Sequence, residues 1–266
     1  MDNSDIAYVA EKLGEFIEPG RIMLVGARCR DIHQQRFRDH PAGRTTRDID
    51  FALAIESWDD FRLLKKKFPS PTDAWQQVVI NQIPIDLVPF GDVENPPGEV
   101  AGDKDHVLNV AGFQQVFQDA TDFKLKDNIS VKLPSVPGFA GLKLHAWLDR
   151  GPQGQYKDAT DLALILSWYE ENDEALWDRY PLLPSDDQDY IGEPDAMAAQ
   201  LLGADIGRVF GKQEASFLFE RLVSETRSDV ELFIDHLIAP PEHIHPWERR
   251  KVQVNALIDG LKSTLG

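Results

Sequence analysis

Residues Val25 to Ala54, VGARCRDIHQQRFRDHPAGRTTRDIDFALA, carry the pattern that decides the fold. A short apolar run, Ile22 to Val25, leads into Gly26, and the stretch closes on Asp48-Ile49-Asp50-Phe51, two carboxylates alternating with two apolar residues. Successive side chains of a β-strand point to opposite faces, so Asp48 and Asp50 share one face while Ile49, Phe51 and Leu53 share the other. Two carboxylates fixed side by side repel unless a cation lies between them, which predicts a hard-oxygen site for Mg²⁺ or a comparable ion. A third acid follows in Ile83-Pro84-Ile85-Asp86-Leu87-Val88-Pro89-Phe90, where the same alternation aims Asp86 away from an apolar face. Backbone N–H groups at the helix start after Gly26 make a ready anion site.

Outward from this stretch the elements read as a mixed α/β unit. Ile6, Val9, Leu13 and Phe16 recur at helical spacing before Pro19-Gly20. Arg21 to Val25 reads as a strand, Arg28 to Phe37 as the helix behind the glycine turn, and Arg38 to Arg47 as a polar loop. Within that loop Arg44 and Arg47 flank the acids, where they contact phosphates or merely balance the carboxylates. Ser57 is placed to cap a helix through Phe68 with Trp58, Phe61 and Leu64 as its buried stripe. Gln76 to Ile80 and Ile83 to Pro89 read as antiparallel strands joined at Asn81-Gln82. The stretch from Gly91 to Asp105, rich in Pro, Gly and acid, reads as irregular, Gly112 to Gln118 as helix, and Phe123 to Leu125 with Ser130 to Leu133 as a final hairpin.

From Pro134 onward the pattern is helical, which places a boundary between residues 1–133 and 134–266. Ser135 can cap a helix carrying Phe139, Leu142, Leu144, Ala146, Trp147 and Leu148, and a second helix starts near Tyr156. Lys143 is a cation within that apolar helix, and its bland reading is a solvated surface lysine. Lys157 and Asp161 are four apart and share a helical face, the spacing of an intrahelical pair. Tyr180 to Pro194 reads as an exposed, Pro-interrupted connection; helices follow over Asp195 to Asp205, Lys212 to Thr226, Ser228 to Leu237 and Trp247 to Leu265. His145 reads as a packing residue. His243-Ile244-His245 has the makings of a metal pair, but no acid or cysteine near it in sequence completes the set.

Strand, glycine turn, helix, Asp-x-Asp strand and a later strand with a lone Asp together resemble the polymerase-β-like nucleotidyltransferase superfamily. Gly26-Ala27-Arg28-Cys29-Arg30-Asp31 is similar to the Gly-Gly-x-x-Arg-Asp turn of its CCA-adding branch. Ala27 stands where most members carry Gly or Ser, so a hydroxyl contact to phosphate is replaced by the backbone N–H alone. Gly141-Leu142-Lys143-Leu144-His145-Ala146-Trp147, Arg150 and Lys157-Asp158-x-x-Asp161 resemble the second conserved region of the abortive-infection AbiEii-type nucleotidyltransferases. Together the two resemblances cover residues 21 to 170. They imply an α/β (α+β) fold, with an N-terminal mixed sheet and helices followed by a C-terminal helical domain that completes the nucleotide cleft. They also imply Asp48, Asp50 and Asp86 as catalytic, metal-binding acids, and Gly26, Ala27, Arg30, Arg47, Lys143, Lys157 and Asp161 as nucleotide contacts, with Asp161 orienting Lys143. The implied cofactor is Mg²⁺ or Mn²⁺, the substrate an NTP, and the partners a tRNA acceptor and a cognate antitoxin.

Composition narrows the function classes. With 266 residues, 42 % hydrophobic and 27 % charged, the chain can bury a real core in one or two domains. Its formal charge of −17 opposes broad nucleic-acid binding and leaves RNA only a local basic surface. Candidates for that surface are Arg36, Arg38, Arg44, Lys65 to Lys67, Lys124, Lys126 and Lys132. The single cysteine, Cys29, excludes an internal disulfide and reads as a small packing residue. The acidic N-terminus without an apolar segment and the absence of a long apolar run predict a cytoplasmic chain with no membrane contact.

Three functions follow in order of expectation. The first is an Mg²⁺-dependent nucleotidyltransferase toxin of a toxin-antitoxin or phage-defence system, acting on tRNA, with Asp86 taking the acceptor's proton. The second keeps the chemistry but modifies a small molecule such as an aminoglycoside, or a protein; the acidic charge suits a cationic acceptor. The third is a non-catalytic nucleotide-binding scaffold, which the presence of all three acids disfavours.

Overall fold

The computed structural model describes residues 3–37, 48–72, 74–102, 106–126, 128–172, 174–183 and 190–266. The chain divides into two compact units, Met1–Ser135 and Val136–Gly266, the first built on a mixed sheet and the second helical. The α/β class expected from the sequence is the class observed.

In the first unit α1 (Ser4–Leu13) buries Ile6, Val9 and Leu13, the residues of its helical stripe. β1 (Ile22–Val25) is buried along its whole length and runs straight into α2 (Gly26–Phe37). β2 (Ile49–Ile55) leads to α3 (Trp58–Lys67), capped by the Ser57 hydroxyl, which accepts from the Asp59 N–H, while Phe61 and Leu64 are buried beneath it. β3 (Gln77–Ile80) and β4 (Ile83–Gly91) form a hairpin whose two turn residues, Asn81 and Gln82, both have positive φ (51° and 65°). Such primed turns match the right-handed twist of the strands they join. β7 (Thr121–Lys126) and β8 (Ile129–Leu133) make the last hairpin, and the sheet order is β3-β4-β2-β1-β8-β7. The β2–β4 and β1–β8 pairs are parallel and the other three antiparallel.

The stretch expected to be irregular holds one strand of a small hairpin, β5 (Glu99–Ala101), whose partner β6 (Val107–Asn109) lies just past it. Three residues with Val100 as the one buried side chain of β5 are too few to show a period. Glu94 organises the loop before it, its two carboxylate oxygens accepting from the Gly91 and Gly98 N–H groups at 2.8 Å each. α4 (Phe113–Asp119) lies between the two hairpins, and the Ser135 hydroxyl donates to its Asp119 at 2.5 Å.

The second unit comprises α5 (Val136–Arg150), α6 (Lys157–Glu170), α7 (Pro194–Ser224), α8 (Arg227–His236) and α9 (Trp247–Ser263). Gly211, at φ 70° and ψ 164°, breaks α7 in two, which is why the sequence reads as separate helices on either side. α7 and α9 cross with their backbones nearly touching: a Cβ on Gly203 would meet the Leu257 carbonyl oxygen at 2.0 Å, and one on Gly260 the Gln200 carbonyl oxygen at 1.9 Å. The connection between α6 and α7 is anchored more firmly than its composition suggests. Tyr180 is buried with its hydroxyl donating to Gln200 at 2.5 Å, and the Tyr190 hydroxyl donates to Asp259 at 2.7 Å. His145 packs as expected, stacked on Phe210 and accepting from Arg221 at Nδ1. The sequence pattern at His243 and His245 is corrected: Glu170, at the end of α6, supplies the missing acid from more than seventy residues away. Among the described residues no helix is long and apolar enough to cross a membrane.

Candidate functional site

Asp50 on β2 and Asp86 on β4 are direct Cα partners across the parallel pair, with Ile49 opposite Ile85 and Phe51 opposite Leu87. In-register residues of neighbouring strands project to the same face, so the two carboxylates stand side by side while their apolar neighbours are buried on the other face. Both acids are half-buried, and Asp48, immediately before β2, is exposed.

Gly26 sits against this pair. Its strand neighbour Val25 is the Cα partner of Asp50, and its own φ of 63° turns the chain sharply from β1 into α2. A Cβ at Gly26 would lie 2.0 Å from Asp50 Oδ2, so glycine is required both for the left-handed backbone and for the space the carboxylate fills. The first turn of α2, with its N–H groups not bonded within the helix, therefore opens beside Asp50. Ala27 is the second residue of that turn. Arg28 donates two bonds of 2.5 Å to the Asp5 carboxylate. Arg30 is buried, and its Nε and a terminal nitrogen donate to Asp31 at 2.9 and 2.6 Å, so it also serves the fold of the turn. Arg47, with Arg38 and Arg44, lies outside the described residues.

Gln77, on β3, is a member of the site that the sequence reading missed. It is the Cα partner of Asp86, and its Nε2 donates to Asp86 Oδ1 at 3.3 Å. Its Oε1 accepts from the Ser70 and Thr72 hydroxyls at 2.9 Å each, which orients the amide with its NH₂ toward the acid. Ser70 and Thr72 fall outside any strand read from the sequence, and Gln77, though it lies in the strand read there, is uncharged and so carries no mark of a site. Carboxylate oxygens on adjacent strands, with a third acid just before one of them, are hard donors of the kind that suits Mg²⁺ or Mn²⁺, but among the described residues these three acids do not make a cluster of ligand atoms all within 4.8 Å of one another.

The remaining expected residues belong to the helical unit. Lys143 on α5 is buried and pairs with Asp158 at 3.0 Å and Asp161 at 2.6 Å, both on α6. Arg150 closes the network, its Nε donating to Asp158 Oδ2 at 2.7 Å and a terminal nitrogen to Oδ1 at 3.0 Å. Burial alone would lower the Lys143 pKa, but the charges of Asp161 and Asp158 outweigh it and hold the ammonium above the ordinary lysine value. Burial likewise works against the Asp158 anion, and Lys143 with Arg150 reverses it, leaving the carboxyl below its ordinary value. Asp161 is thus paired across helices with Lys143, while Lys157, at the first position of α6, is exposed. Asp158, absent from the expected set, is the most buried acid of the group; its spacing of three from Asp161 was the available signal.

A family model described as nucleotidyl transferase AbiEii toxin, type IV TA system, matches residues 36–242. The matched stretch contains Asp48, Asp50, Asp86, Lys143, Lys157 and Asp161, and Gly26, Ala27 and Arg30 precede it. No curated protein matches the chain. The match spans well over half of the 266 residues and takes in the acids of the sheet and the paired helices alike, so the chain belongs to the AbiEii family of nucleotidyltransferase toxins of type IV toxin-antitoxin systems.

Proposed function

We propose that the protein moves a nucleoside monophosphate from an NTP to the hydroxyl at an RNA 3′ end, tRNA in the first instance, and that a cognate antitoxin restrains it. The observation that supports this reading most is the register of Asp50 with Asp86, with the glycine turn and the start of α2 packed against Asp50. Asp48, Asp50 and Asp86 would hold Mg²⁺ or Mn²⁺, which when bound neutralises phosphate charge and favours the deprotonated acceptor. The acceptor oxygen bonds to the α-phosphorus, the bond from that phosphorus to the α–β bridging oxygen breaks, and pyrophosphate carries the electron pair away. Asp86 takes the acceptor's proton; Gln77 engages its Oδ1, which leaves Oδ2 for that task. The N–H groups at Gly26 and Ala27 bind phosphate oxygens. Lys157 and Arg47 supply cationic contacts to the nucleotide, and Lys143 with Asp161 acts as a positioning pair for the helices that carry them.

The acceptor is the finer question. Lys124 and Lys126 are exposed on β7, with Arg36 over the Phe123 ring at 5.9 Å from its centroid, which supports a small basic strip. That strip is narrower than the sequence suggests, since Lys65 donates to the Ala74 and Gln77 carbonyls and Lys132 pairs with Asp122 at 3.0 Å. The charge of −17 favours a second reading with a cationic small molecule as acceptor. Incubation with Mg²⁺, each labelled NTP, and total RNA, total protein or aminoglycosides in turn separates the readings. Label is expected in RNA, with transfer falling steeply as salt rises. Label in the drug or protein fraction with none in RNA overturns the RNA acceptor, and label in no fraction overturns the transferase reading.

A further inference from the structure

We propose that Glu170, His243 and His245 form a binding site for a divalent transition metal of the zinc class, separate from the acids of the sheet. Glu170 is the last residue of α6, His243 ends the single 3₁₀ turn Pro241–His243, and His245 lies two residues on, before α9. His243 Nδ1 is 2.6 Å from Glu170 Oε2, and His245 Nε2 is 3.1 Å from that same oxygen. All three donor atoms lie within 4.8 Å of one another.

Proton bookkeeping singles this cluster out. A neutral imidazole carries one N–H and presents a lone pair at its other nitrogen. His243 faces a carboxylate from both nitrogens, with Nε2 2.8 Å from Glu171 Oε1, and it shares Glu170 Oε2 with a second imidazole. As hydrogen bonds alone, these contacts need N–H groups on both nitrogens of His243 and on Nε2 of His245. A metal at the point of convergence removes that demand. His243 Nδ1 and His245 Nε2 then enter as lone-pair donors with Glu170 Oε2, and the His243 Nε2–H donates to Glu171. A histidine ligand whose second nitrogen donates to a carboxylate is the usual supporting arrangement of metal sites.

The surroundings hold the carboxylate in place for this role. Gln253 Nε2 donates to Glu170 Oε1 at 2.7 Å, which leaves Oε2 toward the two histidines. The amide of Gln253 is fixed in turn by Arg250, which donates to its Oε1 at 2.6 Å and, from its other terminal nitrogen, to the His243 carbonyl oxygen at 2.6 Å. Asp195 Oδ2 stands 4.0 Å from His245 Nδ1, too far for a hydrogen bond, and Arg249 occupies that carboxylate. The protein thus offers three ligands, and partial exposure of the histidines (13 % and 23 %) leaves a fourth position for water or an exogenous ligand.

Two imidazole nitrogens with one carboxylate select Zn²⁺, Co²⁺ or Ni²⁺ over Mg²⁺ and Ca²⁺, which prefer all-oxygen shells. Around such an ion, with bonds of about 2.0–2.2 Å, neighbouring ligand atoms sit about 3.3 Å apart, slightly wider than the present 2.6 and 3.1 Å. The ion would fasten the turn before α9 to the end of α6. His243 and His245 also lie just past residue 242, where the family match ends, so the match does not account for them.

The test uses the full chain, stripped with a chelator and returned to buffer containing millimolar Mg²⁺ to occupy the acidic site. Titration with Co²⁺ is expected to saturate at one ion per chain with a ligand-field spectrum of low coordination number, which Zn²⁺ then bleaches. Elemental analysis after desalting should find one zinc, and zinc should raise the Tm. His243→Asn and His245→Asn are expected to weaken zinc at least 100-fold, and Glu171→Gln about 10-fold by loosening His243. Asp50→Asn should bind zinc as the wild type does. Absence of saturable binding in the wild-type chain overturns the proposal and leaves a histidine-carboxylate staple. Zinc binding lost in Asp50→Asn but kept in His245→Asn also overturns it.

Discussion

The two carboxylate groupings of this chain differ in how much water they keep. Asp50 and Asp86 are half-buried on a sheet face, with an exposed Asp48 beside them, whereas Asp158 and Asp161 are 0 % and 2 % exposed. Desolvating a carboxylate costs several kcal/mol unless cations of good geometry replace the lost water. The helical unit supplies two of them, Lys143 and Arg150, so that two acids and two bases close a quartet of zero formal charge. The sheet acids keep part of their hydration. The same residue type is thus committed to the fold in one place and left partly hydrated in the other, where the proposed chemistry would use it.

Crossed substitutions give this comparison its hardest test. Asp158→Asn leaves Lys143 and Arg150 short of a buried anion and is expected to destabilise the helical unit by about 3–5 kcal/mol. Denaturant unfolding followed by the fluorescence of the buried Trp147 and Trp168 reads that loss. Asp50→Asn is expected to cut nucleotide transfer by about 10³-fold or more. Its Tm should stay at or above the wild-type value, because one of two adjacent acids has been neutralised. An Asp50→Asn chain that unfolds, or an Asp158→Asn chain as stable as wild type, reverses the assignment of roles.

Acid separates the units next. His33 is buried on α2 with Nε2 donating to the Pro134 carbonyl at 2.9 Å, and burial pushes its pKa down to about 4. The unfolded chain therefore binds a proton near pH 6.5 that the folded chain refuses until about pH 4. That stability is complete above pH 6.5 and is lost as pH falls toward 4, by about 3 kcal/mol at most. Asp158, held below its ordinary value of 3.8, gives a contribution that persists until the pH drops below that value. The sheet unit should loosen first on acidification, and hydrogen exchange at pH 4.5 should find faster opening there than in α5 and α6. Replacing His33 with Gln should flatten the sheet unit's pH dependence; an unchanged slope rules His33 out as its cause.

What was legible in the sequence follows the same division. Period-two alternation at Ile49, Asp50, Phe51 and at Ile85, Asp86, Leu87 announces strands and the side each acid takes, because a strand's geometry is local. Gly26 was legible as a turn, but not as the residue whose missing Cβ makes room for Asp50, since that contact joins β1 to β2. Lys143 in an apolar helix is legible as unusual; its partner Asp158, and the Arg150 that binds the same acid, are not, because the pairing runs between two helices. Glu170 stands 73 residues from His243, so the histidine pair looked incomplete until the chain folded. Local period reveals elements and facing directions, and only tertiary packing reveals which charges meet.

The glycine turn sharpens the comparison at a smaller scale. Gly26→Ala forces a residue with a side chain into a φ of 63° and drives its Cβ into the Asp50 carboxylate. The backbone cost is about 1–3 kcal/mol, and displacement of Asp50 should reduce transfer further than this stability loss explains. Thermal unfolding and single-turnover transfer measured on the same preparation separate the two effects. If transfer falls only in step with the folded fraction, Gly26 serves the fold alone.

The smallest effect expected is at Lys157, and it is the most discriminating about the helical unit. Lys157 is exposed at the first position of α6, next to the buried Asp158 yet outside the quartet, since Asp161 pairs with Lys143 across the helices. Surface side chains away from caps and networks change stability by no more than about 0.5 kcal/mol, so Lys157→Ala should melt with the wild type. If its ammonium meets phosphate, the variant's KM for NTP should rise several-fold while kcat changes little, because a contact made equally in ground and transition states weakens binding alone. Lys143→Ala should do the opposite, losing about 3–5 kcal/mol of stability by removing the ammonium that pairs with buried Asp161 and leaving Asp158 to Arg150. An unchanged KM in Lys157→Ala removes this lysine from the nucleotide contacts.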